Sequence, residues 1–98
     1  MELKGRHRRH LRGLAHDLDP VVQVGKEGIS TAVTDAVREA LLAHELIKVK
    51  LPRVDKGERV ELANSLEAAT QAALVALTGR VAVLYRPHPS DPTIELPK

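Results

Sequence analysis

The pattern of apolar residues near the start of the chain predicts an amphipathic helix. Four apolar side chains recur at the three- and four-residue spacing of one helical face: Leu11, Leu14, Ala15 and Leu18. This spacing favours a helix over about residues 4–17, with its arginines on the face opposite the apolar stripe. Pro20 follows at the exit of the connection.

The rest of the chain alternates between short strand-like runs and longer helical patterns. The patterns predict a strand at 20–24, a helix at 30–44, a strand at 46–51, a helix at 56–70 and strands at 73–77 and 81–85. Gly79-Arg80 fits a two-residue hairpin turn between the last two strands. Prolines exclude regular structure from a tail over residues 88–98, although Ile94 and Leu96 remain able to dock on the body.

This order of elements predicts one α/β domain over residues 1–98, of the two-layer α+β type, with its core at about 4–87. The N-terminal helix is followed by β-α-β-α-β-β. The two later helices act as right-handed crossovers between parallel strands, and the hairpin adds an antiparallel strand to a four-stranded mixed sheet. Because the last two strands are apolar on both faces, the second face of the sheet needs cover. The N-terminal helix is the element available for it.

Composition excludes several classes of protein. The 98 residues contain no cysteine, which excludes disulfides, thiolate metal sites and cysteine nucleophiles. No apolar run reaches the ~20 residues that a membrane-spanning helix needs, and the sequence has no secretory signal, so we expect a cytoplasmic protein. Tyr85 is the only aromatic residue, which argues against RNA recognition by stacking of bases on an aromatic surface.

The charge is concentrated at the N-terminus. Residues 1–12 carry five basic side chains and one acidic one, a net charge of +4, whereas the whole chain has a formal charge of +2. A positive segment on a nearly neutral body suits contact with a polyanion such as nucleic acid. The alternative is a frayed, solvated terminus.

A glycine-rich loop joins the first strand to the second helix. Its sequence is Gly25-Lys26-Glu27-Gly28, and two glycines let a backbone turn sharply and approach another backbone closely. Amides at the start of the helix favour an anion, and Lys26 adds a positive charge. The alternative is a tight turn with no ligand. We expect Gly28→Asp to weaken nucleic-acid binding while leaving thermal stability nearly unchanged.

Metal binding and catalysis are poorly supported by the sequence. The chain has five histidines, but those near the N-terminus lack neighbouring acidic or cysteine ligands at a convincing spacing. No serine has the surroundings of a nucleophile. We therefore expect no metal, no cofactor and no enzymatic activity.

Several segments, in their order, resemble the CRM-domain family, in particular its stand-alone bacterial YhbY-like members. The resemblance covers about residues 5–87. It is carried by His10-Leu11-Arg12, Leu14-Ala15-His16, Pro20-Val21-Val22, Val24-Gly25, Gly28-Ile29, the run His44 to Lys50, Thr78-Gly79-Arg80 and Val83 to Pro87. This sequence departs from the pattern at Glu27, which is acidic within the loop, and at Gln71, where a glycine is expected.

The resemblance implies a fold like the C-terminal domain of bacterial translation initiation factor three and RNA binding without catalysis. It also implies association with the ribosomal RNA of large-subunit precursors, and we expect a monomer. The RNA-binding residues are then expected to be Arg6, Arg8, Arg9, Arg12, Gly25, Lys26, Glu27, Gly28, Lys48 and Lys50. The alternative is a protein-interaction module whose basic helix docks on an acidic protein partner. DNA binding is not excluded by the charge pattern.

Overall fold

A computed structural model describes residues 2–98. The helices in this range are α1 (Gly5–Ala15), α2 (Thr31–His44) and α3 (Lys56–Thr70). The strands are β1 (Pro20–Gln23), β2 (Leu46–Lys50), β3 (Ala73–Thr78) and β4 (Val81–Tyr85). The predicted order of elements is confirmed, and the predicted bounds differ by at most two residues at any end.

The four strands form one mixed sheet in the order β1-β2-β4-β3. Strand β1 runs parallel to β2, and β4 lies antiparallel between β2 and β3. The hairpin that joins β3 to β4 pairs Thr78 with Val81, so its turn is the predicted Gly79-Arg80. Gly79 has φ +58, the left-handed conformation that glycine adopts without strain.

Apolar side chains cover both faces of the sheet. Helices α2 and α3 pack on one face, where Leu41 and Leu66 meet Ile47 and Leu84 in one buried cluster. Helix α1 packs on the other face, as expected from the two-sided apolar pattern of β3 and β4. There Leu11 joins a second cluster with Val75, Val83 and Tyr85.

The C-terminal tail completes the cover of the α1 face. Ile94 and Leu96 are half-buried and pack against the second cluster. Residues 86–98 contain no helix or strand, as the four prolines of this segment predict. The docking of the tail on the body is therefore confirmed.

The packing of α1 corrects one feature of the sequence prediction. Leu11 and Ala15 are buried, but Leu14 is 46% exposed and Leu18 is 39% exposed. The face that α1 turns to the sheet is therefore narrower than the predicted stripe. The arginines are also not all opposite this face, because Arg8 reaches the sheet.

Local signals explain where the helices begin and end. The side chains of Ser30 and Asp55 accept hydrogen bonds from the amides of Val33 (3.1 Å) and Glu58 (2.8 Å), and thereby cap α2 and α3. Helix α3 is followed by Gln71, its C-cap residue, which has φ +57, a left-handed conformation in which glycine is common. The Nη1 of Arg86 donates to the carbonyl of Thr70 at 3.2 Å. This contact satisfies a carbonyl at the end of the helix.

Candidate nucleic-acid interface

The cations of α1 occupy two different environments. Arg6, Arg9 and Arg12 are exposed to solvent. Arg8 is half-buried, and its Nη1 donates to the carbonyls of Leu74 at 2.5 Å and Val75 at 3.4 Å. Of the four predicted arginines, Arg8 therefore has a structural contact with the edge strand β3, and the other three are free to meet a ligand from solvent.

Two lysines of β2 lie on the α1 face of the sheet. Lys48 and Lys50 alternate with Ile47 and Val49, which belong to the opposite core cluster. Both lysines are half-buried. The Nζ of Lys48 donates to the carbonyl of His16 at 3.2 Å. This bond joins the second strand to the segment just after α1 and holds the ammonium group in place.

A cleft separates the C-terminal part of α1 from the adjoining end of the sheet. Its volume is about 600 Å³. We call it the α1 cleft; it is lined by Arg12, Ala15, His16, Leu18, Asp19, Pro20, Lys48, Ala76, Thr78, Val81 and Val83. The structure thus brings Arg12 and Lys48, two of the predicted binding residues, to one cleft.

The glycine loop is a tight turn whose conformation depends on Gly28. The amide of Gly28 donates to the carbonyl of Gly25 at 3.1 Å. Gly28 has φ +79, and a Cβ added there would lie 3.7 Å from Leu62 of α3. A side chain in this conformation is strained by roughly 1–2 kcal/mol, although Asp tolerates it better than most residues. The structure therefore argues against the expectation that Gly28→Asp leaves stability nearly unchanged.

The start of the loop is hydrogen-bonded to the end of β2. The amide of Val24, next to Gly25, donates to the carbonyl of Lys50 at 2.8 Å. Lys26 at the tip is exposed. Glu27 folds back over the turn, since its Oε2 lies 3.1 Å from the position of a Cβ at Gly25. The loop therefore carries one cation and one carboxylate at the same end of the sheet as Lys50.

A buried carboxylate that the sequence prediction did not single out organises the C-terminal tail. Glu45 is only 3% exposed, and it has φ +64 at the end of α2. Its Oε1 accepts from the amides of Thr93 and Ile94, both at 2.9 Å, and from the Thr93 hydroxyl at 2.6 Å. Its Oε2 accepts from the His88 amide at 2.7 Å. The tail is thus held by a charged group inside the fold.

These contacts determine the ionisation of Glu45. Burial alone would raise its pKa, but the hydrogen bonds from Thr93, His88 and Ile94 outweigh burial and lower the pKa from 4.5 to about 2. Burial, together with the charge of Glu45, raises the pKa of Tyr85.

A second contact fixes the far end of the tail, where His7 Nε2 lies 2.9 Å from the Pro97 carbonyl.

An apolar patch lies beside α1, around the connection to β1. Leu14, Leu18 and Val21 are exposed, Val21 by 53%. They line a second cavity of about 480 Å³ together with Asp19, His44, Leu46, Ile47 and Ile94. Exposed apolar side chains grouped in this way are typical of contact surfaces.

Residues 2–98 offer neither a cluster of metal ligands nor a membrane-spanning helix. Residues 2–98 contain no group of three or more His, Asp or Glu side chains placed to hold a metal ion. None of the three helices α1 to α3 is long and apolar enough to cross a bilayer.

The fold and the cleft define a class: a small α+β domain with one mixed sheet, helices on both faces and cations at the rim of a cleft beside the first helix. Comparison with models of protein families narrows this class to one family. The chain belongs to the CRS1/YhbY (CRM) domain family, whose model matches residues 3–86.

Relatives match nearly the full length of the chain. A Haemophilus influenzae protein named "RNA-binding protein" is 38% identical over 96 residues, which are 98% of this chain and 96% of that protein. The Bacillus subtilis "Probable RNA-binding protein YqeI" is 37% identical over 95 residues, which are 97% and 99% of the two chains. The solution structure of a hypothetical Staphylococcus aureus protein superposes with a TM-score of 0.86 at 38% identity, covering 98% of this chain and 100% of that one.

Proposed function

We propose that this protein is a non-catalytic RNA-binding protein whose contact surface runs from α1 across β2 to the glycine loop. One observation carries the proposal: the lysines of β2 connect the other two elements. Lys48 is hydrogen-bonded to the end of α1, and the backbone of Lys50 is hydrogen-bonded to the residue before the loop. Phosphate groups of a bent RNA backbone would meet cations along this path, which is interrupted by the carboxylates of Asp19 in the cleft and Glu27 in the loop.

The cations proposed to contact RNA directly are exposed or half-buried. They are Arg6, Arg9, Arg12, Lys26, Lys48 and Lys50. Arg8 is proposed to support this surface through its bonds to β3 while it adds to the local positive potential. Gly25 and Gly28 shape the turn that the RNA backbone would approach, and the Glu27 carboxylate, which lies over Gly25, would limit phosphate contact there.

The proposed target is ribosomal RNA of the precursor of the large subunit, bound during assembly in the cytoplasm by a monomer without a cofactor. Two relatives carry RNA binding in their names, and the ribosomal target follows from the family resemblance. Tyr85, the only aromatic residue, is buried. Recognition would therefore depend on RNA shape and phosphate positions more than on base stacking.

The salt dependence of RNA binding tests the surface. Each phosphate neutralised contributes about 0.7–0.9 to the slope of log affinity against log salt. We expect Arg9→Gln with Arg12→Gln to weaken binding and to reduce that slope by about 1.5. Fluorescence anisotropy with a labelled ribosomal RNA fragment, over a salt titration, provides the measurement.

A matched control separates this surface from general charge. Arg38 lies on α2, on the other side of the sheet. There its Nη2 donates a hydrogen bond to the Ala69 carbonyl at 2.6 Å. Arg38→Gln removes one positive charge, as Arg9→Gln alone does, but it should leave the slope unchanged. An equal slope for the double variant and the wild type would remove α1 from the site. Crosslinking in cells, with sequencing of the attached RNA, tests the ribosomal target.

The apolar patch favours a second candidate function. Leu14, Leu18 and Val21 lie next to the basic helix, and such a pairing of apolar and positive surface suits an acidic protein partner. The two functions differ in what remains bound after purification. Nucleic acid that co-purifies at low salt supports RNA binding; a protein free of nucleic acid that binds no RNA fragment supports the protein partner.

A further inference from the structure

The α1 cleft is large enough for a nucleotide. Its volume of about 600 Å³ lies within the range of about 300–1,000 Å³ typical of small-molecule sites. It opens beside the proposed RNA surface, because Arg12 and Lys48 belong to both.

One side of the cleft presents two cations, Arg12 and Lys48, that can bind an anion. The Nζ of Lys48 uses one of its three hydrogens on the His16 carbonyl, so two donors remain available. Arg12 is exposed, and its planar guanidinium can bond a phosphate or stack on a base. Asp19 is an acidic group on the lining, and its carboxylate disfavours a phosphate in its own part of the cleft.

The floor of the cleft is aliphatic. Ala76, Val81 and Val83 from β3 and β4 line it, and none of them carries a polar side chain. An unstacked base can bury its face on such a floor, whereas a base inside a duplex cannot reach it. The cleft thus combines cations that can bind a phosphate at its rim with an apolar floor large enough for a base.

We propose that the α1 cleft receives one unpaired nucleotide of the RNA, with its phosphate on Arg12 and Lys48 and its base over Val81 and Val83. This inference rests on the proposed RNA-binding function and adds a preference for RNA helices interrupted by a bulged nucleotide. The rest of the basic surface contacts the flanking backbone.

Two RNA hairpins test the proposal, one fully paired and one with a single bulged 2-aminopurine nucleotide. We expect the bulged hairpin to bind roughly five- to tenfold more tightly, the effect of burying one face of a base on aliphatic side chains. The protein has no tryptophan, so 2-aminopurine can be excited selectively. Its fluorescence should change on binding as the base leaves the RNA stack and enters the cleft.

A variant that fills the cleft sharpens the test. Ala76→Leu adds volume to the floor without changing charge, and Ala43→Leu is its matched control on an exposed position of α2. We expect Ala76→Leu to bring the ratio of the two dissociation constants close to one, and Ala43→Leu to leave the ratio unchanged. If Ala76→Leu lowers the melting temperature, Thr78→Leu fills the same cleft from an exposed strand end.

The outcomes separate the two proposals. Equal binding of both hairpins by the wild type, or a preference that survives filling of the cleft, overturns the nucleotide site and leaves RNA binding intact. Failure to bind either hairpin overturns the proposed function, and the nucleotide site with it.

Discussion

Glu45 shows how a single residue can stabilise a segment that has no regular structure. A carboxylate buried without partners would be strongly unfavourable. Here the amides of His88, Thr93 and Ile94 and one hydroxyl surround it, and charged hydrogen bonds of this kind are stronger than neutral ones. Glu45 therefore stabilises the docked tail as long as it is ionised.

The stability of the protein should depend on pH through Glu45. Its pKa in the folded protein is about 2, below the ordinary 4.5, so its contribution is complete above about pH 4.5 and is lost as the pH falls toward 2. At neutral pH, Glu45→Gln should lower the free energy of unfolding by about 1–3 kcal/mol, because its amide group opposes a backbone donor. Urea unfolding over a pH series measures both effects.

The difference between wild type and Glu45→Gln should narrow as the pH falls from about 4.5 toward 2. Glu95→Gln is the control, since Glu95 is an exposed carboxylate on the same tail. It should be close to wild type at every pH. A Glu45→Gln deficit that stays constant down to pH 2 would show that the carboxylate is not held ionised by the tail.

The role of Glu45 illustrates what sequence patterns leave out. The stretch around Glu45 was part of the family resemblance, but nothing local indicated that the carboxylate is buried. Its partners lie 43–49 residues further along the chain, and only the folded backbone brings them together. Leu14 is a similar case, since helical spacing shows that a face is apolar but not how much of that face the sheet covers.

At the scale of elements, α1 is hydrogen-bonded to the edge strand of the sheet as well as packed on one face of it. Strand β3 is an edge strand, and its register shifts between Leu74 and Ala76. Arg8 donates to the carbonyls of Leu74 and Val75 at this irregularity. The guanidinium donates to two carbonyls of this edge strand, so the helix and the edge strand stabilise each other.

Arg8 and Arg9 are neighbours with equal charge and should behave differently. Arg8→Gln should lower the free energy of unfolding by about 1 kcal/mol through loss of the β3 contact. Arg9→Gln should change it by less than about 0.5 kcal/mol, because Arg9 is exposed. Chemical unfolding measures stability, and an RNA salt titration measures binding.

Of these two substitutions, only Arg9→Gln is expected to combine unchanged stability with a reduced salt slope. Equal destabilisation by both substitutions would show that the β3 contact contributes nothing. The sequence identified the basic helix correctly, but it assigned all four arginines to one exposed face. Helical spacing places Arg8 three residues before the buried Leu11, near enough to the packed face for a long side chain to reach the strand.

At the scale of the molecule, one sheet is shared by two apolar clusters. Strand β4 lies between β2 and β3, and its residues alternate between the clusters: Leu84 packs with α2 and α3, and Val83 and Tyr85 pack with α1 and the tail. Strand β1 has four residues and pairs only with β2. Stability should therefore be uneven across the sheet.

Native-state hydrogen exchange should reveal this gradient. The amides of β4 should exchange only when the whole domain unfolds, because opening β4 exposes both clusters at once. Amides of β1 should exchange through smaller openings, with less dependence on denaturant. Equal protection of β1 and β4 would mean that the domain opens as a single unit, with no weaker edge.

Much of this architecture could be predicted from the sequence, and the reason is physical. The two-sided apolar pattern of β3 and β4 required cover on both faces, and α1 was the only element left to supply it. The position of β4 in the middle of the sheet was not predicted, because strand order depends on pairing between distant segments. The hydrogen bond from Lys48 to the His16 carbonyl could not be predicted for the same reason, since it joins residues that are 32 positions apart.

The buried carboxylate also has a consequence for the order of events during synthesis. Its partners are translated 43–49 residues after it, an interval of roughly 2–10 s at ordinary elongation rates. Until then, Glu45 lacks the backbone amides of His88, Thr93 and Ile94 that bond it in the folded protein. The tail can therefore dock on the body only after the chain has been translated past Ile94.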